Sequence, residues 1–303
     1  MDQTQLFETY GLSDHQLQFF RSVKKAKNMP DFFETLSDEE IIWAIAVSTA
    51  DIPENPSEKD LQFYDKKVEE RVRKLSEAET RYNWFSLKWD EHYMKKLINN
   101  WFCGMLVIDP DLKTSTGSPI QFVHEYYGSE SKYPDTDNQT DKWKKEVIDL
   151  YVLMTRSICK SYPNSTSKGI VSFSDMKDFD WNKYDMETKT RNAEITSVIP
   201  NRLARMITIR PDEKMNKFYK EMTPRLRKKY GFVQYDDYNS AKLGEKDLLP
   251  EDLPTFVGGS YRVDVLKCLK YLFRREDDVL QLMLDTYEEM EKNGEIPRPK
   301  HMQ

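Results

Sequence analysis

The stretch from Pro200 to Lys229 constrains the fold of this 303-residue chain more than any other. The run from Arg205 to Ile209 is predicted as a buried strand, and Pro211 ends it. From Met215 to Met222 apolar residues recur at i, i+3, i+4 and i+7, which predicts a helix with one apolar stripe that ends before Pro224. A strand followed at once by such a helix is the building unit of an α/β fold.

The predicted helix is cationic although the protein as a whole is acidic. Lys214, Lys217 and Lys220 lie opposite the apolar stripe, and a basic run from Arg225 to Lys229 follows. This pattern is typical of a surface that meets a membrane or an apolar ligand. The net charge of the whole chain is −6, which argues against general affinity for nucleic acid, so we expect no nucleic-acid partner.

Three further features limit the class of protein to which this chain can belong. Cys103, Cys159 and Cys268 are odd in number and widely separated, which predicts reduced thiols in a cytoplasmic protein. The first residues, MDQTQLFETYG, lack the basic start and apolar centre of a signal peptide. Because no run approaches about eighteen consecutive apolar residues, we expect no membrane-spanning helix.

The chain divides into three predicted regions. Residues 1–100 form an N-terminal helical module, in which Ser37 and Glu40 make a capping box before an apolar helix. Residues 101–262 alternate short strands with helices, and residues 109–119 are predicted as a turn-rich connection. Residues 263–303 return to helix. The alternation predicts an α/β fold with a mixed, mostly parallel sheet and helices packed on it. The predicted strands are 104–108, 120–127, 169–175, 205–209 and 230–235.

Three of these strands carry one fully apolar face and one mixed face, because side chains alternate along a strand. Phe122, Phe173 and Ile207 represent the apolar face. The mixed face comprises Gln121, Val123, Ser172, Ser174, Met206 and Thr208. This mixed face could be a solvent-facing side of the sheet, or the floor of a largely apolar ligand pocket beneath the amphipathic helix. Periodicity alone leaves both interpretations open.

Four segments of the chain resemble, in the same order along the sequence, parts of the CRAL-TRIO lipid-binding family. This family includes phosphatidylinositol/phosphatidylcholine transfer proteins and tocopherol and retinal carriers. The resemblance covers about residues 100–262. Its most specific part is LLPEDLPTFVGGSY at 248–261, similar to the closing leucine–proline and double-glycine signature of the family. The other three segments are DPDLKTSTGSPIQFV at 109–123, GIVSFSDMKDFDW at 169–181 and IPNRLARMITIRP at 199–211.

The resemblance implies a hydrophobic pocket floored by the sheet, with helices on one face and a gate helix at Asp212 to Met222. It implies a lipid-transfer protein that holds a phospholipid or other small lipid and associates transiently with membrane surfaces. Asn201 and Leu226 depart from the phosphoinositide-binding members, so the lipid class stays open. The expected ligand contacts are Gln121, Val123, Ser172, Ser174, Met206, Thr208, Met215, Phe218, Tyr219 and Met222. The expected head-group or membrane contacts are Arg202, Lys214, Lys217, Arg225, Lys228 and Lys229.

An enzymatic function fits the sequence less well. The four histidines match no metal-ligand spacing, and no nucleophile-elbow, dinucleotide-binding or phosphate-binding loop motif occurs. A triad of His124, Asp175 and Ser172 is disfavoured, because His124 shares parity with Phe122, on the side expected to be covered by helices. We therefore expect no catalytic residue, metal or cofactor.

The alternative function is a non-catalytic scaffold whose terminal helices bind a protein partner that the sequence does not identify. The tail from Asp277 to Gln303 could be such a helix, or could pack back on the rest of the protein.

Overall fold

The computed structural model describes residues 2–25, 36–84, 86–104, 106–124, 141–176, 198–224, 227–228, 231–237, 239–241, 253–255 and 260–298. The first helices are α1 (Gln3–Tyr10), α2 (Asp14–Lys25), α3 (Asp38–Ser48), α4 (Glu58–Tyr82) and α5 (Glu91–Phe102). Next come β1 (Leu106–Lys113), β2 (Pro119–His124), α6 (Asp141–Ser161), α7 (Asn164–Ser167), β3 (Ile170–Asp175) and β4 (Leu203–Ile209). The chain continues with α8 (Glu213–Glu221), β5 (Phe232–Tyr235), α9 (Val265–Phe273) and α10 (Asp277–Lys292). A helix predicted from Met186 to Val198 lies, except for its last residue, outside the described residues.

The N-terminal helices pack around α3, which begins at the predicted capping box. The Glu40 N–H donates to the Ser37 hydroxyl at 3.4 Å, and the Ser37 N–H donates to the Glu40 carboxylate at 2.7 Å. After this capping box, α3 carries apolar residues on all of its sides, and the helix is buried almost completely. Its Trp43 indole donates to the Tyr10 hydroxyl at 2.7 Å, and Tyr10 donates to the Cys159 carbonyl at 3.1 Å. These bonds join the N-terminal helices to α6.

The five strands form one sheet in the order β1-β2-β3-β4-β5, with β1 antiparallel to β2 and the other neighbours parallel. The predicted fold class, α/β with a mixed, mostly parallel sheet and helices, is confirmed. The predicted connection at 109–113 is wrong, since β1 continues through Pro110 to Lys113. The sheet tolerates this proline because β1 is an edge strand, and its register with β2 shifts between Ile108 and Lys113.

The described helices that join parallel strands lie on one face of the sheet. Strands β2 to β5 follow one another in the same direction, and parallel crossovers are right-handed in nearly all proteins, so α6, between β2 and β3, and α8, between β4 and β5, share a face. Ile108 and Ile170 identify it, because both belong to one hydrophobic cluster with residues of α5, α6, α9 and α10. Ile108 pairs with Gln121, and Gln121 pairs with Ser172. We call this side, with Gln121, Ser172 and Met206, the serine face.

The opposite side, with Phe122, Phe173 and Ile207, is the phenylalanine face. The sequence placed the helices here, and the structure corrects this placement. Chain that follows β5 covers this side instead, and Ala241 and Leu253 belong to its cluster. The alternation of side chains along a strand divides its residues between two faces. It does not show which face the connecting helices cover.

Two of the segments that resemble the CRAL-TRIO family meet at β1. Tyr261, from the segment at 248–261, donates its hydroxyl hydrogen to the buried Asp109 carboxylate at 3.0 Å. Asp109 belongs to the segment at 109–123, and its carboxylate also lies 3.6 Å from the Cys268 sulfur of α9. The contact therefore connects the chain after β5 to the edge strand and to α9.

Helix α10 packs back on the protein. Met283 and Met290 on this helix are fully buried in the cluster that also contains α5 and α9. Of the two arrangements considered for the tail, the structure shows the packed one for residues 277–292. Among the described residues, none of the helices combines the length and apolarity that crossing a bilayer requires. The domain boundaries at 100/101 and 262/263 stay predictions.

Candidate functional site

The structure brings six of the predicted ligand contacts together in two rows on the serine face. Gln121, Ser172 and Met206 are register partners on β2, β3 and β4. Val123, Ser174 and Thr208 form the next row in the same way. Because neighbouring strands lie about 4.8 Å apart, the two rows form one continuous patch. β5 extends both rows, as Met206 pairs with Phe232 and Thr208 pairs with Gln234.

Burial differs between the two faces of these interior strands. On the phenylalanine face Phe122, Phe173 and Ile207 are at most 1% exposed. On the serine face Ser172, Ser174 and Thr208 are also buried, whereas Gln121, Val123 and Met206 are only half-buried. Side chains on interior strands of a fully covered sheet face are normally buried. The covering layer over the serine face is therefore less complete around β2 and β4.

Helix α8 is the predicted gate helix, and its amphipathic pattern is confirmed. Asp212 begins it, since the Met215 N–H donates to the Asp212 carboxylate at 2.7 Å. Met215, Tyr219 and Met222 are half-buried, and none of the described side chains of α8 is fully buried. On the opposite side Lys214, Lys217 and Lys220 are exposed. Phe218 lies within α8, but its side chain is outside the described part of the structure.

Helix α8 shares the serine face with α6, because it makes the crossover from β4 to β5. Its Tyr219 hydroxyl lies 3.5 Å from the Phe232 carbonyl oxygen, at the start of β5. The Arg227 guanidinium stacks 5.0 Å from the Tyr219 ring centroid. The apolar stripe of α8 and the two rows therefore belong to the same side of the sheet, the arrangement that a gated pocket requires.

Of the six expected head-group and membrane contacts, the structure describes Arg202, Lys214, Lys217 and Lys228. Arg202 donates to the Asp51 carboxylate at 2.7 Å and to the Ser167 carbonyl at 3.4 Å, so it links the N-terminal helices to the sheet. Lys228 is exposed. Arg225 and Lys229 lie outside the described residues. The head-group roles of all these residues stay predictions.

An ion pair that the sequence did not predict lies at the carboxyl ends of β3 and β4. Arg210 donates through Nε to the buried Asp175 carboxylate at 3.0 Å and makes a second contact with it through Nη2. Its backbone has φ 52°, a left-handed conformation that is costly for a residue with a Cβ. Since Pro211 and α8 follow directly, this pair lies where α8 leaves the sheet. An acidic and a basic residue at the ends of neighbouring parallel strands could have suggested the pair.

Gln234 is a second residue that sequence reasoning missed. It is half-buried on β5, next to Thr208 in the second row. Its Nε2 atom is buried and has no hydrogen-bond partner among the described residues. The alternation in Phe-Val-Gln-Tyr, which puts Phe232 and Gln234 on one side of the strand, could have identified it.

The residues of the disfavoured triad are placed as follows. Ser172 lies on the serine face, and Asp175 has the parity of Phe173, so the two side chains point to opposite sides of β3. His124 pairs with Asp175 along the backbone, and its side chain is outside the described part. Across the described ranges no group of three or more His, Cys, Asp and Glu side chains is placed to hold a metal ion.

No family model matches this chain, and comparison with curated proteins finds no match. Among solved structures, the crystal structure of Sfh5 is similar over 89% of this chain and 98% of that chain. The sequence identity is 17% and the TM-score is 0.46. A likeness at this level concerns the arrangement of elements and carries no argument about family, ligand or partner. The resemblance of the sequence to the CRAL-TRIO family therefore remains a resemblance.

Proposed function

We propose that this protein is a soluble lipid carrier, which holds a phospholipid or another small lipid between the serine face and α8 and exchanges it at membrane surfaces. The observation that carries the proposal is a pair of incompletely buried surfaces on one side of the sheet. Gln121, Val123 and Met206 are half-buried on interior strands, and the inward stripe of α8 is half-buried as well. An apolar guest between them would complete the burial of both.

The energetics determine where exchange takes place. Moving a lipid chain from water into a dry cavity is favourable by about 0.8 kcal/mol per methylene group. A bilayer offers nearly the same gain, so transfer between bilayer and protein is close to balanced, whereas release into water is not. Uptake and release therefore occur at the membrane, with α8 displaced from the sheet.

The outward side of α8 suits such a membrane encounter. Lys214, Lys217 and Lys220 of α8 are exposed, as is Lys228 beyond the helix, and each basic residue near an anionic bilayer contributes roughly 1 kcal/mol. We expect cytoplasmic protein with transient peripheral association, and binding that weakens with salt. The proposal assigns no catalytic residue, metal or cofactor, and no nucleic-acid partner.

Native mass spectrometry together with a vesicle transfer assay tests the proposal. Protein purified under mild conditions is expected to carry a co-purified lipid, and Met215→Gln combined with Tyr219→Gln is expected to remove most of it. Polar groups in the stripe disfavour an apolar guest, while the helix propensity is preserved. The matched control is Lys217→Gln, which places the same side chain on the exposed side of α8. It is expected to retain the lipid and to slow transfer to phosphatidylserine-containing vesicles more than to neutral phosphatidylcholine vesicles.

Circular dichroism and urea unfolding check that the double variant is folded. Wild-type protein that carries no lipid, and takes none up from vesicles, would overturn the carrier proposal. If such an empty protein bound a partner protein through its terminal helices, the scaffold alternative would replace it.

A further inference from the structure

The second row on the serine face lies at the carboxyl ends of the parallel strands. Ser174 is next to last in β3, Thr208 next to last in β4, and Gln234 next to last in β5. They are register partners on three adjacent strands, so two hydroxyls and one carboxamide stand side by side. Ligands of open parallel sheets bind preferentially at this edge.

One polar group in this row, the carboxamide of Gln234, has an incomplete set of hydrogen bonds among the described residues. Its Nε2 atom is buried, yet no described group accepts a hydrogen bond from it. Buried donors are nearly always paired, because an unpaired donor has lost its water without any compensation. A functional contact, completed only when a ligand is present, accounts for such a group.

Charge decides what kind of ligand group fits. Across β2 to β5 the two rows consist of apolar, hydroxyl and carboxamide side chains only. Their members are Gln121, Ser172, Met206, Phe232, Val123, Ser174, Thr208 and Gln234. An ionised group buried against such neutral side chains would lose most of its hydration without gaining a counter-ion from either row. Asp175 and Arg210, at the same end of the sheet, are already paired with each other.

We infer that Gln234, flanked by Ser174 and Thr208, binds the polar end of the ligand, and that this end is an uncharged oxygen group such as an ester carbonyl or a hydroxyl. This inference rests on the proposed carrier function and narrows it to neutral amphiphiles of the acylglycerol type. The lipid chain then extends along the first row toward Gln121 and Met206, under the apolar stripe of α8. The Gln234 Nε2–H donates to the ligand oxygen, and the two hydroxyls adjust as donors or acceptors.

Displacement of an NBD-labelled diacylglycerol from delipidated protein tests this inference. The competitors are monooleoylglycerol, which is neutral and rich in oxygen, oleic acid, which brings a carboxylate, and squalene, which has no polar atom. Wild-type protein is expected to prefer monooleoylglycerol over both others. In Gln234→Leu the affinity for monooleoylglycerol is expected to fall about tenfold, while that for squalene is unchanged.

A stability measurement separates a binding role from a structural one. Because Gln234→Leu removes an unpaired buried donor, the melting temperature of the ligand-free protein is expected to stay the same or to rise. A structural role predicts a fall. The matched control is Gln18→Leu, at an exposed position on α2, which is expected to leave every affinity unchanged.

The outcomes separate this inference from the carrier proposal. Wild-type protein that binds none of the lipids overturns the carrier proposal and this inference with it. Wild-type protein that binds, with Gln234→Leu keeping the full preference for monooleoylglycerol, overturns the inference alone. A wild-type preference for oleic acid also overturns it, and would point to a cation such as Arg227, which stacks on Tyr219.

Discussion

Helices α8 and α9 have the same length and the same kind of sequence pattern, but they are buried to different degrees. Each has nine residues with one apolar stripe. On α9 the inward residues Cys268 and Leu269 are fully buried. On α8 the inward residues Met215 and Tyr219 are only half-buried. An amphipathic pattern therefore predicts that a helix has an inner side, but not how completely that side is covered.

The difference follows from what lies opposite each helix. Residues of α9 belong to one cluster with large apolar side chains of α5, α6 and β1, such as Trp101, Ile158 and Ile108. Helix α8 lies on the side of the sheet where small and polar residues such as Ser172 and Thr208 alternate with half-buried Met206. Large side chains fill the space below a helix, whereas small ones leave room for a guest.

Thiol reactivity offers the largest contrast between the two helices. Burial raises the pKa of the Cys268 thiol, and the nearby Asp109 carboxylate raises it further, so Cys268 is expected to react only when the protein opens. With an opening free energy of about 5 kcal/mol, its labelling is slowed by about four orders of magnitude. In Met215→Cys, the new thiol on α8 is expected to react promptly with an aromatic disulfide reagent.

Cys103 and Cys159 are buried too, so the variant should show a single fast thiol. All four thiols should react at once in guanidinium, which serves as the control. Equal protection of Cys268 and the introduced cysteine would show that α8 is packed as tightly as α9.

Truncation of an inward side chain should affect the stability of the fold very differently in the two helices. Leu269→Ala on α9 leaves a cavity in a filled cluster and is expected to lower the free energy of unfolding by about 3 kcal/mol. Met215→Ala on α8 is expected to lower it by less than about 1 kcal/mol, because the side chain is only partly buried. Urea unfolding of ligand-free protein measures both. A larger loss from Met215→Ala than from Leu269→Ala would contradict the comparison.

The ion pairs near the two helices extend the contrast to their connections with the sheet. Arg210→Gln leaves the buried Asp175 carboxylate without its guanidinium partner, and the expected loss of unfolding free energy is about 2 kcal/mol. Lys267 of α9 also pairs with an aspartate, Asp111, but both side chains are largely exposed. Lys267→Gln is therefore expected to be indistinguishable from wild type in the same urea titration, because exposed pairs contribute little. Equal effects of the two substitutions would show that the Asp175 pair is not special to the start of α8.

The sequence predicted well the parts of the molecule that depend on local pattern. The capping box at Ser37 begins α3 as predicted, and α10, from Asp277 to Lys292, lies in the region 263–303 that was predicted to be helical. The two rows on the serine face were also predicted correctly as one side of the strands, since alternation along a strand is a local property. The binding roles of these rows stay predictions.

Other features depended on topology or on distant partners and were therefore missed. Nothing local distinguishes the face that the crossovers take, so the helices were placed on the phenylalanine face. Pro110 suggested a loop, because only the position of β1 at the sheet edge allows a proline there. The partnerships of Arg210 with Asp175 and of Arg202 with Asp51 join residues 35 and 151 positions apart, which spacing cannot show.

The smallest expected effect concerns the outer sides of the two helices. Lys217 on α8 and Lys270 on α9 are both exposed lysines on amphipathic helices. Residue type alone would therefore predict that they contribute equally to vesicle binding. If α8 meets the membrane, Lys217→Gln is expected to weaken binding to vesicles with 30% phosphatidylserine by roughly 1 kcal/mol, or about fivefold. Lys270→Gln is expected to leave binding unchanged, because α9 is held in the core and its outer side need not approach the bilayer. Co-sedimentation at low and at high salt measures both, and salt should abolish the difference between them. Equal weakening by the two substitutions would mean that the membrane senses the overall charge of the protein and that α8 has no special part in docking.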